Sequence, residues 1–330
     1  MNCENPKLLI RGNNGKLVEL FIFDKVMYLT YYSRLATSPK SKLHKPDFID
    51  KVIRLPCGYC RACKINLYQE WATRCWLEAR QLKNNQFITL TYDNQHLPEK
   101  GVNKQDLSRF MRALREHFRR KHGITGIRFF ACGEYGEETF RPHYHILLFN
   151  CPPFGDEKKY KENDLGQPLY KSKILEHIWG KGFCTIGAVT RQSCDYVCRY
   201  LVKSSYGKKP NYLNPEFRSM SKLKGIGINY LLDNLEQIIA DDTIRLTGTK
   251  RVKLPRYFDK KIKEIIGKER FEAEIAIPRA KKAQAYFESE IVRTNLTGEQ
   301  LIDRQIMSFQ ESLKRLERNF EIYEKENKDD

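Results

Sequence analysis

Apolar residues along this chain change their spacing repeatedly, and the changes mark out elements. Phe87-Ile88-Thr89-Leu90-Thr91-Tyr92 is rich in β-formers and predicts a buried strand. Leu107, Phe110, Leu114 and Phe118 then recur at helical spacing over 107–121, with Asn103 and Asp106 as start signals and Gly123 as the stop. Ile127 to Cys132 predicts a second strand, closed by Gly133-Glu134-Tyr135-Gly136, and His143 to Phe149 a third. A polar loop runs from Pro152 to Pro168, followed by a short helix over Ile174–Trp179 and a fourth strand over Phe183–Val189. Thr190 is placed to cap a last helix, whose Cys194, Val197, Cys198, Leu201 and Val202 gather on one side. The order β-α-β-β-α-β-α points to an α+β fold, an antiparallel sheet with helices on one face.

The flanks are less regular. Leu17 to Tyr32 suits one or two strands, and Glu70 to Leu82 a basic helix. Lys250 to Lys263 is strongly basic. Ile302, Ile306, Phe309, Leu313, Leu316, Phe320 and Tyr323 alternate steps of four and three, a coiled-coil-like stripe read as a helix docked on its own core. Three segments follow: an N-terminal region over 1–83 with a cysteine cluster, a catalytic domain over 84–206, and a basic, mainly helical extension over 207–330.

Charge narrows the partners. Fifty-nine lysines and arginines against 41 acids leave a net +18, which favours a polyanion, most often nucleic acid. No apolar run approaches the roughly 20 residues of a spanning helix, and the start does not resemble a signal peptide. The expectation is a cytoplasmic protein whose ten cysteines stay mostly reduced.

Four groups carry chemistry. On a helix, Tyr196, Tyr200 and Lys203 project together, away from the apolar side, so two phenols and an ammonium face outward. His143 and His145 alternate on a strand and share a face, with Tyr144 on the other. Glu134, nine residues upstream of His143, reaches them if the two strands pair antiparallel; two imidazoles and a carboxylate with open positions suit Mg²⁺ or Mn²⁺. Cys57, Cys60 and Cys63, with Cys75 beyond, offer four thiolates to a structural Zn²⁺; the alternative is thiols that merely pack. Finally, Arg109, Arg112, Arg115, Arg119 and Arg120 line one helix as a DNA-binding row, or as a solvated face.

Three blocks in order resemble the HUH endonuclease superfamily, in particular the rolling-circle replication initiators of single-stranded DNA microviruses of the gokushovirus type. They are Phe87–Tyr92; Cys132–Gly136 followed by Arg141-Pro142-His143-Tyr144-His145; and Tyr196-Val197-Cys198-Arg199-Tyr200-Leu201-Val202-Lys203. The resemblance spans about residues 84 to 206. It implies a sheet of four or five antiparallel strands with the histidine strand central and the tyrosine helix over the metal face. It also implies a metal on Glu134, His143 and His145, and Tyr196 and Tyr200 as alternating nucleophiles assisted by Lys203. The implied activity is nicking of the double-stranded replicative form at its origin, with a 5′-phosphotyrosine link and a free 3′-hydroxyl. Cleavage and circularisation of the displaced single strand follow. The implied partners are origin DNA and the host helicase and polymerase, in the bacterial cytoplasm, with no membrane and no small-molecule cofactor. Two competing readings are another HUH enzyme, such as a relaxase or transposase, and a non-catalytic, zinc-stabilised DNA-binding or packaging protein.

Overall fold

The computed structural model describes residues 7–11, 17–20, 52–136, 139–163, 166–199 and 210–296, and the single positions 300, 304, 307 and 311. The chain divides between Asn66 and Leu67 into two compact units. In the first, β1 (Lys7–Arg11) pairs with β2 (Leu17–Leu20) and with β3 (Val52–Leu55), both antiparallel. The rest of the expected Leu17–Tyr32 stretch and nearly all of the C-terminal apolar stripe lie outside the described residues.

The second unit holds a seven-stranded antiparallel sheet. Helix α1 (Arg61–Arg80) leads into β4 (Asn85–Tyr92), α2 (Lys104–His122), β5 (Arg128–Tyr135) and β6 (Pro142–Phe149). Then come β7 (Lys158–Glu162), β8 (Pro168–Lys171), α3 (Lys173–Trp179), β9 (Gly182–Ala188), α4 (Arg191–Arg199) and β10 (Phe217–Met220). The strand order is β10-β5-β6-β4-β9-β8-β7. The expected four strands form its centre, with the histidine strand β6 inside. It is wider than four or five because the polar segment expected as a loop holds the hairpin of β7 and β8, and because β10 adds to the β5 edge. Beyond it, α5 (Ile228–Asp233), α6 (Leu235–Asp241), β11 (Ile244–Thr247), β12 (Lys250–Val252), α7 (Arg256–Ile266), α8 (Lys268–Phe271) and α9 (Ile277–Thr294) form a further helical cluster, with a π-helical turn over Glu272–Ala276.

Helices cover both faces of the sheet, not one. Residues of alternating parity along the strands are apolar on both sides, so neither face is left to water. Ile88, Leu90, Tyr144, Ile146 and Leu148 pack against Leu107, Phe110, Leu114 and Phe118 of α2 and Leu175 and Trp179 of α3. Phe130, Cys132, Leu147 and Phe149 pack against Ala72, Cys75 and Ala79 of α1 and Cys194, Val197 and Cys198 of α4. Helix α2 starts where Asn103 accepts the Gln105 amide and stops at Gly123, whose φ of +66° is left-handed. At the start of β9, a Cβ on Gly182 would run into the Asp93 amide, so only glycine lets the strand approach there.

A buried polar network anchors the α2 side. The Tyr92 hydroxyl donates to Asp106 Oδ2 at 2.8 Å and stands 2.8 Å from the Tyr144 hydroxyl. The Tyr144 oxygen in turn accepts the Asn103 amide and lies 2.9 Å from the Asn103 carbonyl. On the α1 side, Glu78 is buried, pairs with Arg128 of β5 and accepts the Gly227 amide at 2.7 Å. Removing its carboxylate leaves the largely buried Arg128 guanidinium without its counter-ion. Glu78→Ala is therefore expected to cost about 3 kcal/mol, read as a lower urea midpoint at unchanged slope. A loss below about 0.5 kcal/mol would mean that water already screens the pair.

Candidate active site

Register decides which side chains meet. β6 is paired on both edges: Glu134 and Thr91 stand opposite His143, and Cys132 and Thr89 opposite His145. Cross-strand partners share a face, so Glu134, both histidines and both threonines project together while Tyr144 enters the other core. The turn after the second strand begins later than its glycines suggest. β5 runs on to Tyr135, which puts Glu134 inside the ladder rather than beyond its end.

Glu134 Oε1 lies 2.8 Å from His143 Nε2 and 2.7 Å from His145 Nε2. The two rings are nearly perpendicular, 5.0 Å between centroids. His143 Nδ1 is 3.1 Å from the Arg141 carbonyl oxygen, which only accepts, so this nitrogen carries the proton. In the neutral ring, the Nε2 lone pair then faces the carboxylate. His145 Nδ1 is held at 3.0 Å by the Thr89 hydroxyl. Burial lowers the pKa of His145 more than the Glu134 carboxylate restores it, which favours the neutral ring. Burial resists the charge on Glu134, yet His145 and His143 together hold its carboxyl below the usual carboxylate range. The other oxygen, Oε2, is buried with no hydrogen-bond partner. An ionised, buried carboxylate with an orphaned oxygen, facing imidazole nitrogens that present lone pairs, fits a divalent cation. Glu134, His143 and His145 would hold it; their ligating atoms all lie within 4.8 Å of one another.

Helix α4 brings Tyr196 to this group. Its start is fixed by a reciprocal cap: the Ser193 amide donates to Thr190 Oγ1 at 3.1 Å, and the Thr190 amide to Ser193 Oγ at 2.7 Å. Cys194, Val197 and Cys198 are fully buried, which leaves Tyr196 on the side toward β6. Its hydroxyl lies 3.4 Å from His145 Nε2, and its ring meets the His145 ring edge-on at 5.0 Å. The neighbouring Asp195 accepts from Arg191 at 3.0 Å and from Tyr68 of α1 at 3.3 Å. Burial, then the Asp195 charge, pushes the Tyr68 phenol up to about 12, so it remains a donor. Tyr200 and Lys203 lie outside the described residues.

The other expected residues lie elsewhere. The arginine row sits on α2, across the sheet from Glu134 and the histidines. Arg119 and Arg120 both pair with Glu116, Arg109 with Asp106, and Arg115 donates to the Ile127 carbonyl. The sulfurs of Cys57, Cys60 and Cys63 gather within 4.8 Å. Cys75 does not join them: it lies twelve residues along α1 from Cys63, about 18 Å at helical rise, and is buried with Cys194 and Cys198. Burial raises the pKa of both Cys194 and Cys198 well above the usual thiol range.

Two residues on the site face escape motif reading. Thr89 orients His145; strand alternation from Ile88 and Leu90 is the signal that would have placed it there. Phe183 pairs with Thr91, in the same row of the sheet as His143 and Glu134, yet it is 59 % exposed. An aromatic ring left in water beside polar ligands is a stacking surface for a base.

Comparison with known proteins agrees with this layout. The family model for the replication-associated protein ORF2 matches residues 85–205. The replication-associated protein ORF2 of Spiroplasma virus 4 is 35% identical over 263 residues, covering 76% of this chain and 81% of that protein. The replication-associated protein VP4 of Bdellovibrio phage phiMH2K is 32% identical over 207 residues, covering 62% and 65%. The replication-associated protein ORF4 of Chlamydia phage 1 is 27% identical over 227 residues, covering 65% and 55%. No solved structure matches the chain.

Thr89→Val keeps the strand former and removes the hydroxyl that orients His145. Titration calorimetry with Mn²⁺ should show affinity falling about tenfold with the fold unchanged. An unchanged affinity would show that His145 needs no such support.

Proposed function

The chain belongs to the ORF2 family of replication-associated proteins, and from this premise we propose that it starts replication by cutting origin DNA with a tyrosine. The observation that carries the reading is the contact between Tyr196 and His145. A phenol stands 3.4 Å from an imidazole that is itself 2.7 Å from a buried carboxylate, which puts a nucleophile beside a charge-stabilising centre. This is the arrangement that an HUH endonuclease requires.

The reaction is a transesterification. The Tyr196 oxygen attacks phosphorus in line, the bond from phosphorus to the 3′ oxygen breaks, and a 5′-phosphotyrosine forms. The phenol gives up its proton and the leaving 3′ oxygen takes one up, so the strand end is a hydroxyl that a polymerase extends. No nucleotide cofactor is needed, because the new ester keeps the energy of the old one. A free phenol has a pKa of about 10, so the attack depends on the environment that the site supplies. A Mg²⁺ or Mn²⁺ bound at Glu134, His143 and His145 supplies a Lewis acid for the scissile phosphate. Thr89 and the Arg141 carbonyl set the imidazole tautomers, and the buried face of α4 holds Tyr196 on the sheet. Phe183 offers its ring to a base of the bound strand.

Tyr200 follows Tyr196 by one helical turn in sequence and serves as the second nucleophile. It cuts the regenerated origin after one round, and the released 3′-hydroxyl closes the displaced circle by attacking the first phosphotyrosine. Lys203 acts on the phosphate charge. The partners are double-stranded and single-stranded origin DNA, with the host helicase and polymerase in the bacterial cytoplasm. No helix among the described residues is long and apolar enough to cross a membrane.

Incubation with single-stranded origin DNA and Mn²⁺ should give an adduct that survives denaturant. Tyr196→Phe together with Tyr200→Phe should abolish it; a surviving labelled adduct would exclude both phenols, and its absence from the unmodified chain would favour a DNA-binding protein without catalysis. His143→Ala should remove metal-dependent nicking with DNA affinity within about twofold, because phosphate contacts elsewhere carry binding. Joint loss of nicking, binding and folding would assign the histidine a structural role.

A further inference from the structure

The run Cys57-Gly58-Tyr59-Cys60-Arg61-Ala62-Cys63 takes no part in the chemistry above. Gly58 has a φ of +85°, the left-handed region open to glycine, and it turns the chain just ahead of α1. Cys60 immediately precedes the helix and Cys63 sits in its first turn. The turn closes on sulfur. The Cys60 amide donates to Cys57 Sγ at 3.2 Å, and the Cys63 amide to Cys60 Sγ at 3.5 Å. Cys60 and Cys63 are buried and Cys57 packs against them half-buried. The Cys57 and Cys63 sulfurs are 3.9 Å apart, and all three lie within 4.8 Å.

These distances suit one ion. With metal–sulfur bonds of about 2.3 Å, two thiolates on a tetrahedral zinc stand about 3.8 Å apart. An iron–sulfur cluster distributes its cysteines over separate irons and keeps their sulfurs farther apart than this pair. The electrostatics favour thiolates. Backbone N–H groups point at two of the sulfurs, and the N-terminal end of a 20-residue helix adds its positive dipole. Soft sulfur donors also separate this centre from the nitrogen and oxygen donors of the candidate active site.

We propose that Cys57, Cys60 and Cys63 hold one zinc ion as a structural centre that fixes the start of α1. Each thiol loses its proton to solvent as the zinc–sulfur bonds form, and the fourth position goes to a donor outside the triad. Cys75 is not a ligand.

The test uses the full chain carrying His143→Ala and His145→Ala, which removes the imidazoles of the other centre. Metal analysis of that protein should find about one equivalent of zinc, and adding Cys60→Ser and Cys63→Ser should leave below about a tenth. Cys75→Ser should leave the zinc in place. Less than about half an equivalent in the starting protein, iron in its place, or zinc that persists after the Cys60 and Cys63 substitutions would overturn the site. Cobalt(II) exchange gives a readout that leaves every thiol intact and so survives a variant that fails to fold. Intense sulfur-to-cobalt charge transfer with tetrahedral ligand-field bands is expected, whereas the weak spectrum of octahedral, oxygen-bound cobalt would refute the assignment.

Discussion

Tyr144 is the residue on which the site depends. It lies between the two histidines in sequence and on the opposite face of the sheet, fully buried, with its hydroxyl among Tyr92, Asn103 and, through Tyr92, Asp106. Burial pushes its pKa up to about 12, and that of Tyr92 upward as well, so both stay neutral and keep their protons for hydrogen bonds. A strand has a period of two, so a slip of one residue would place Tyr144 among the ligands and both imidazoles in the α2 core. That core has no room for a second arrangement. The geometry of Glu134, His143 and His145 is thus held from behind.

The two faces of the sheet divide the work. One is sealed by α2 and α3, and its polar groups are satisfied within the network. The other is covered by α1 and α4 over Phe130, Cys132, Leu147 and Phe149, while the row from Glu134 through His143 and Thr91 to Phe183 carries polar ligands and an exposed ring. Packing and reactivity therefore share a surface. Helix α4 buries three residues and with the same turn brings Tyr196 to His145, so the fit of Cys194, Val197 and Cys198 also sets the position of the phenol.

Much of this was legible in the sequence, for physical reasons that differ by residue. Strand alternation alone put His143 and His145 on one face, and helical spacing put Tyr196 opposite Cys194, Val197 and Cys198. Glu134 was found through pairing, although glycine-based punctuation ended its strand early: Gly133 stays in the ladder because Phe217 of β10 and Tyr144 fill the space beside it. The second helical layer was not legible. Ile146-Leu147-Leu148-Phe149 is apolar on both sides, and that run gives no hint of which helix lies over which face. The hairpin of β7 and β8 escaped because its strand Lys158–Glu162 is exposed throughout and so has no apolar alternation to read. The arginines of α2 looked like a DNA row by spacing, but spacing cannot show that Glu116, Asp106 and a backbone carbonyl already engage most of them.

That outermost strand also bears on how the protein behaves in a crowded cell. β7 ends the sheet with unpaired backbone groups, the usual template on which a second chain adds a strand. Three of its five residues are lysines, 158, 159 and 161, and Lys171 of β8 lies 3.7 Å over the ring of Tyr160. Two copies meeting edge to edge would bring these ammonium groups together, so self-association there is opposed by charge repulsion. The same edge resists aggregation as the protein accumulates, and salt weakens that protection by screening it.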